Sequence, residues 1–194
     1  MLILASGSPR RLELLTTIGV SLEVRPSDID ETPHKGEKPA EFVLRMAEEK
    51  CAAVFNEHRG VPVLAADTIV VMENEIFGKA KNKKHAHDML ERLQGQTHQV
   101  MTAVSLKKGE RSWSEKVTTL VTMKRLDAKT IENYLETREY EGKAGAYAIQ
   151  GIAAAFVKSV EGSVSSVIGL PLAETFEMLN QAELHPDWSK AIPA

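Results

Sequence analysis

The sequence lacks the features that mark secreted, membrane-spanning or disulfide-bonded proteins. Its single cysteine, Cys51, has no partner for an internal disulfide and no second cysteine at a zinc-binding spacing, which fits a reducing compartment. No apolar run approaches the roughly eighteen residues that a membrane helix needs. The apolar residues 1–4 are too few for the core of a signal peptide, and arginines follow soon after. We therefore expect a soluble cytoplasmic protein.

Several common catalytic motifs are also missing. The sequence contains no G-x-x-x-x-G-K-[ST] phosphate loop, no G-x-G-x-x-G dinucleotide motif, no nucleophile elbow and no paired C-x-x-C. The formal net charge of −3 argues against a general nucleic-acid binder, which needs a concentrated basic face. Neither nucleic acid nor a membrane is therefore expected as a partner.

The composition is that of an ordinary globular protein. Of the 194 residues, 43% are hydrophobic and 26% are charged, which is far from the composition of a disordered chain. We find no internal repeat, no low-complexity segment and no linker, so we expect one domain over residues 1–194, or two lobes folded together.

Periodicity predicts an α/β fold with a mixed sheet. Short apolar runs indicate strands, and apolar residues at helical spacing indicate four or five flanking helices. Three of the predicted strand pairs are hairpins, which argue against a doubly wound parallel sheet. The predicted hairpins cover residues 69–77, 99–126 and 156–167, and the main helices cover 9–18, 39–57, 82–93 and the segment after Pro171. The tail from Ala182, which includes Pro193, is predicted to be loosely ordered.

The first turn of the chain is the most informative stretch. A strand leads through Ser6 and Ser8 into a helix that begins at Pro9, and Ser8 is predicted to cap it. Arg10 and Arg11 then lie in the first helical turn, where positive charge opposes the helix dipole. Either an anion occupies the turn, or the arginines reach solvent or a carboxylate, and this stretch alone favours neither.

Other candidate residues are scattered along the chain. Lys50 lies on the apolar stripe of its helix, so it either extends its amine outward to solvent or presents a cation to the wall of a cleft. Asp67 and Thr68 are predicted to end a buried strand, a common position for catalytic carboxylates, although Asp67 could simply cap a turn. Lys79 follows a glycine that permits close approach of a ligand.

Two further candidates lie in polar or small-residue loops. Glu31 belongs to an acidic loop that is either solvated or in contact with a metal ion or a substrate hydroxyl. Gln150 lies in the segment 142–151, whose glycines and alanines allow close backbone approach to a ligand or to another element. Cations together with acidic residues suit phosphoryl chemistry with a divalent metal ion.

Four ordered motifs give the chain a resemblance to the Maf family. They are ASGSPRR (5–11), AADT (65–68), FGK (77–79) and KAGAYAIQG (143–151), and the resemblance covers nearly the whole chain. It implies a curved mixed β-sheet with flanking helices, forming two lobes around a deep cleft, similar to the inosine triphosphate pyrophosphatase fold. It also implies hydrolysis of nucleoside triphosphates to the monophosphate and pyrophosphate with a divalent cation, Mg²⁺ or Mn²⁺.

The resemblance also assigns roles to residues. Asp67 corresponds to the catalytic acid, acting as general base, metal ligand or both, and Glu31 to the loop acid, with Asp30 adjacent. Arg11, Thr68 and Gln150 fall on the positions that separate subgroups and resemble the subgroup acting on dTTP and UTP. Ala80 departs from the proline that often follows the glycine and lysine. The phosphate-binding residues correspond to Ser6, Arg10, Arg11, Lys50 and Lys79.

Two other functions compete with this interpretation. One is a non-catalytic nucleotide-binding regulator of cell division, and the other is a phosphatase that releases inorganic phosphate from the γ-position. The resemblance also leaves a homodimer open as the assembly.

Overall fold

One mixed sheet of seven strands forms the centre of the protein in the computed structural model, which describes residues 1–191. The strand order is β2-β1-β3-β5-β6-β7, and β4 pairs with β3 outside this path. β1 runs parallel to both of its neighbours, whereas every other pairing is antiparallel, so the predicted mixed α/β class is confirmed. The strands are β1 (Leu2–Leu4), β2 (Leu22–Val24), β3 (Val63–Met72), β4 (Glu75–Phe77), β5 (Thr97–Lys108), β6 (Arg111–Met123) and β7 (Val157–Glu161).

Six α-helices flank the sheet in the described part of the chain, one more than the upper predicted number. None of them is long and apolar enough to cross a membrane. They are α1 (Pro9–Thr17), α2 (Pro39–Glu57), α3 (Lys83–Leu93), α4 (Ala128–Glu136), α5 (Val164–Ile168) and α6 (Leu172–Gln181). Short 3₁₀ helices cover Ile152–Phe156 and Trp188–Lys190.

The longest helix, α2, supplies one wall of the site. Pro39 occupies its first turn, and the Glu41 side chain accepts a hydrogen bond from the Lys38 backbone N–H, so the start of the helix is well defined. Its inner face buries Met46, Ala47 and Cys51 against the sheet. Cys51 is a packing residue, as predicted, since it is fully buried, and this burial raises the pKa of its thiol to about 11.

An interruption along one edge of β3 positions the site. β1 pairs with Val63 and Leu64 near the start of β3, and β4 pairs with residues 70–72 near its end. Asp67 and Thr68 lie in the gap between these two partners, where the edge of the strand faces a cleft. The prediction that Asp67 ends a strand is therefore wrong: β3 continues through it, because β5 pairs with it without interruption from Val63 to Val71.

Separate apolar clusters form on the two sides of this gap. One contains Leu64, Val104 and Leu106 with α1 and α6, and the other contains Val70, Val100 and Val121 with α3 and α4. Since the same long strands contribute to both clusters, the two lobes are held together by continuous backbone. The cleft lies between the lobes.

Three local predictions differ from the structure. The segment 163–167 is not a returning strand but the short helix α5, because the Ser163 side chain accepts a hydrogen bond from the Ser166 N–H and so starts a helix. Ser8 occupies the N-cap of α1, but its side chain makes no capping bond, and its own backbone N–H donates to Ser6 Oγ. The tail packs back onto the body, where Trp188 stacks on Phe176, while Pro193 lies outside the described residues.

Candidate active site

A single cleft with a volume of about 840 Å³ collects all of the predicted site residues. They come from the turn before α1 and the first turn of α1, from the loop before α2, and from α2, β3 and two later loops. The residues are Ser6, Arg10, Arg11, Glu31, Lys50, Asp67, Thr68, Lys79 and Gln150. Residues that lie far apart in the sequence thus face one space.

Arg11 is held at the inner end of the cleft by three different groups. Its Nη1 donates to Ser6 Oγ at 3.0 Å, its Nη2 donates to Thr68 Oγ1 at 3.2 Å, and its Nε donates to the Gly169 carbonyl at 2.8 Å. Burial lowers the pKa of the guanidinium, while the Asp67 carboxylate acts in the opposite direction. Arginine nevertheless stays protonated, so a fixed positive charge faces the cleft.

Ser6 is arranged as a hydrogen-bond donor to a ligand. Its Oγ accepts one bond from Arg11 Nη1 and a second, at 3.2 Å, from the Ser8 backbone N–H. A hydroxyl has two lone pairs and one proton. With both lone pairs engaged, Ser6 retains its proton to donate, as an anionic phosphate oxygen requires.

The end of α5 supplies the acceptors that orient both arginines. The last carbonyls of a helix have no partner within it. Here the Ile168 carbonyl accepts from Arg10 Nε at 3.2 Å, and the neighbouring Gly169 carbonyl accepts from Arg11. Both arginines therefore lie against a short helix from the far end of the chain.

Lys50 joins two carboxylates in the same cleft. Its Nζ lies 2.8 Å from Asp67 Oδ1 and 3.0 Å from Glu31 Oε1. The Lys50 residue is only 7% exposed and Asp67 only 8%, so the pair is shielded from water, whereas Glu31 is exposed on its loop. The amine thus does not extend outward to bulk solvent: it offsets the charge of the predicted catalytic carboxylate. Asp30 instead accepts hydrogen bonds from Thr32.

The turn before α1, α1, α2 and β3 form the first wall of the cleft. The second wall, residues 77–79 and 142–151, is held together by backbone contacts. Lys79 forms an isolated antiparallel bridge with Ala144, and the Gly145 N–H donates to the carbonyls of Phe77 and Gly78 at 3.1 Å. Gly145 has φ +67°, and a Cβ there would lie 3.0 Å from Val70 Cγ2. Only glycine suits this close approach at a positive φ, which explains the glycine at position 145.

Lys143 joins the cationic residues of this wall, although the sequence did not single it out. Burial lowers the pKa of Lys143, and the positive charge of Arg10 acts in the same direction. Like charges that face one space repel each other, and an anion between them removes the repulsion. The signal was available in the sequence, since Lys143 opens the KAGAYAIQG motif.

A buried polar pair anchors the same loop. Tyr147 lines the cleft, and its hydroxyl lies 2.7 Å from Nε2 of His98 on β5, with the two rings edge to face. His98 is only 2% exposed, and burial lowers its pKa to about 4, so the ring is neutral near pH 7. No local pattern around His98 indicates this contact.

The structure is that of an α/β protein in which several cationic side chains line one cleft, next to a shielded carboxylate. Comparison with known proteins identifies its relatives. The chain belongs to the family of Maf-like proteins, whose model matches residues 1–182, so the resemblance seen in the sequence is confirmed.

Two curated relatives show how far the similarity extends. The dTTP/UTP pyrophosphatase of Zymomonas mobilis is 49% identical over 183 residues, which cover 93% of this chain and 91% of that protein. The dTTP/UTP pyrophosphatase of Ruegeria sp. is 46% identical over 181 residues, covering 93% of each. Among solved structures, the Staphylococcus aureus Ham1 protein matches 63% of this chain and 71% of that chain, with a TM-score of 0.44 and 16% identity.

Proposed function

We propose that this protein is a nucleoside triphosphate pyrophosphatase for dTTP, UTP and related or modified pyrimidine nucleotides. It cleaves between the α- and β-phosphates and releases a nucleoside monophosphate and pyrophosphate. The observation that carries the proposal is the convergence of four cations, Arg10, Arg11, Lys50 and Lys79, on the cleft that holds Asp67. The names of the relatives support the choice of substrates.

The cations bind the triphosphate. Arg11 and Ser6 present donors on one wall, and Lys79 presents an ammonium group on the other wall. Charge-assisted hydrogen bonds to phosphate are about twice as strong as neutral ones. A triphosphate spanning the two walls therefore gains binding energy from both lobes.

Asp67 acts as the general base for the attacking water. A water molecule attacks the α-phosphorus, and its proton passes to the Asp67 carboxylate as the new P–O bond forms. The bond from the α-phosphorus to the bridging oxygen breaks, and its electron pair leaves with pyrophosphate. Lys50, 2.8 Å away, holds Asp67 in place and lowers its repulsion toward the triphosphate.

The carboxylates fit a divalent cation that the substrate brings with it. Among residues 1–191 no group of three or more His, Cys, Asp or Glu side chains could hold a metal ion. Mg²⁺, however, is usually bound by one or two carboxylates together with water and substrate phosphates. Asp67 and Glu31 would hold Mg²⁺ or Mn²⁺ through the oxygens that Lys50 does not contact. The ion would neutralise phosphate charge and polarise a phosphoryl oxygen.

Thr68 and Gln150 read the base in this proposal. Both line the cleft. The Gln150 amide offers a donor and an acceptor, which suits the edge of uracil or thymine.

A product assay tests the proposal. The protein is incubated with a panel of nucleotides and Mg²⁺ or Mn²⁺, and the products are identified by chromatography. Monophosphate with pyrophosphate is the expected result. Diphosphate with inorganic phosphate would instead indicate a γ-phosphatase, and unchanged nucleotide would indicate a non-catalytic regulator of cell division. Full activity in excess EDTA would contradict the metal requirement.

The proposed enzyme works as one unit over residues 1–194 on free nucleotides in the cytoplasm. It uses neither nucleic acid nor a membrane as a partner. Sedimentation of the purified protein will decide between a monomer and a homodimer.

A further inference from the structure

A buried threonine lies directly behind Thr68. Thr102 on β5 is the register partner of Thr68 on β3, and it is 0% exposed. Its Oγ1 lies 3.0 Å from Thr68 Oγ1 and 2.7 Å from the Ser166 carbonyl oxygen. No substrate atom can reach Thr102, so any effect on the reaction must pass through Thr68.

The direction of each hydrogen bond follows from counting protons. The Ser166 carbonyl can only accept, and it lies in the last turn of α5, where carbonyls need a partner from outside the helix. Thr102 has one hydroxyl proton, and that proton is donated to Ser166. In the bond between the two threonines, Thr102 must therefore be the acceptor and Thr68 the donor.

The direction of the hydrogen bond from Thr68 to Thr102 determines which hydrogen bonds Thr68 can make with a ligand. Its only proton points inward to Thr102, and one of its lone pairs accepts from Arg11 Nη2 at 3.2 Å. One lone pair remains, on a half-buried side chain that lines the cleft. Thr68 can accept from a ligand but cannot donate to it, whereas Ser6, on the other terminal nitrogen of Arg11, can only donate.

We infer that Thr102 is a positioning residue for base recognition: it keeps Thr68 an acceptor, which favours pyrimidines that carry a hydrogen on ring nitrogen N3. The inference rests on the proposed function and adds a reason for its selectivity. Uracil and thymine carry an N3–H donor, while the N3 of cytosine is a lone pair. A cytosine placed in the same position would set two acceptors against each other.

The test compares UTP and CTP in a variant that lacks the Thr102 hydroxyl. Thr102→Val keeps the shape of the side chain and frees the Thr68 proton to turn toward the cleft. The ratio of kcat/KM for UTP over CTP should fall roughly fivefold or more, the scale of one mispaired hydrogen bond. Thr102→Ser retains a hydroxyl and should keep the ratio of the unmodified enzyme. The expected shift is in the ratio, because a purely structural defect slows both substrates equally.

Three outcomes would overturn the inference. The first is an unchanged ratio in folded Thr102→Val, and the second is an unmodified enzyme that does not distinguish UTP from CTP. Should Thr102→Val fail to fold, the unmodified enzyme is compared on UTP and 3-methyl-UTP, which lacks the N3 hydrogen, and equal rates would be the third. The ratio of the affinities for UTP and CTP, measured by calorimetry, is a second readout of the same preference. A chain that binds both nucleotides without hydrolysis would refute the proposed function, and its affinity ratio would still test Thr102.

Discussion

The two walls of the cleft are built in different ways. The first wall is formed by the turn before α1, the first turn of α1, α2 and β3. Its arginines, Lys50 and Asp67 lie half-buried or buried and are held by partners from distant elements. Arg11 alone contacts Ser6, Thr68 and Gly169. On the second wall, residues 77–79 and 142–151, Lys79 and Gln150 are exposed and the order comes from backbone bonds.

The difference separates two tasks. Groups that act on the reacting atoms gain from being fixed in advance, because little reorganisation is then needed in the transition state. Groups that recognise a variable part of the substrate can lie on loops carried by a rigid scaffold. We therefore expect substitutions of the charged residues on the first wall to affect the rate most. Substitutions on the second wall should affect affinity and choice of base, to which Thr68 on the first wall also contributes.

The largest effect is expected for Asp67→Asn, which removes the proposed general base from the first wall. The change preserves shape but removes the charge and the ability to take a proton, so turnover should fall by roughly 10²–10⁴-fold. Binding of UTP should persist, because cations hold the triphosphate, and binding without metal should tighten as repulsion is removed.

Turnover is measured as pyrophosphate release and UTP affinity by calorimetry, and thermal melting shows whether the variant is folded. Asp88→Asn, which changes an exposed carboxylate on α3, is the matched control and should behave like the unmodified protein. Near-normal turnover in folded Asp67→Asn would move the catalytic role to Glu31.

The second prediction concerns stability and the buried His98, which contacts Tyr147 of the second wall. Burial holds the pKa of His98 at about 4, below its ordinary value of 6.5, so the unfolded chain binds the proton more readily than the folded one. The stability that this provides is complete above pH 6.5 and is lost as the pH falls toward 4, by up to about 3 kcal/mol.

Chemical denaturation at several pH values measures the loss. His98→Gln has no titrating ring, so its free energy of unfolding should change less between pH 6.5 and 4 than that of the unmodified protein. His34→Gln alters an exposed histidine and is the control. Identical pH profiles for all three proteins would show that His98 does not titrate in this range.

Features of the fold and of the site that depend on local signals could be predicted from the sequence. The bounds of α2 were predicted correctly, because Pro39 and the apolar stripe are local signals. Seven of the nine site residues lie in the four short motifs, and only Glu31 and Lys50 lie outside them. The structure brings together in one cleft residues that the resemblance had already selected.

Other features depend on contacts that no local pattern records. Thr102 is an ordinary strand residue by sequence, and its role arises only because α5 places the Ser166 carbonyl against it. The same holds for His98 and Tyr147, which lie 49 positions apart. The wrong strand prediction for α5 has this cause too, since a five-residue helix is stabilised by its cap and its neighbours rather than by periodicity.

A smaller effect is expected for Arg11→Lys, which keeps the positive charge on the first wall but removes the planar guanidinium group. Lysine cannot donate to Ser6, Thr68 and Gly169 at once in the planar geometry of a guanidinium. We expect kcat/KM for UTP to fall by roughly 10- to 100-fold, with KM raised. Arg25→Lys, on the exposed end of the β2 region, is the control. Full activity of Arg11→Lys in steady-state kinetics would mean that charge alone matters at this position.

The smallest effect is expected for Gln150→Ala, which tests whether the second wall contributes choice of base rather than rate. Gln150 is exposed, so the loss of its hydrogen bond to a base should cost about 1 kcal/mol, close to the net value of a solvated bond. Turnover of UTP and dTTP should therefore fall by roughly five- to tenfold, while any residual activity on purine nucleotides stays nearly constant. Gln181→Ala, at the end of α6, is a control outside the cleft. The measurement is kcat/KM for UTP, dTTP, ATP and GTP with each protein. If all four nucleotides slow by the same factor, Gln150 supports the loop without contacting the base, and the difference between the walls is one of order alone.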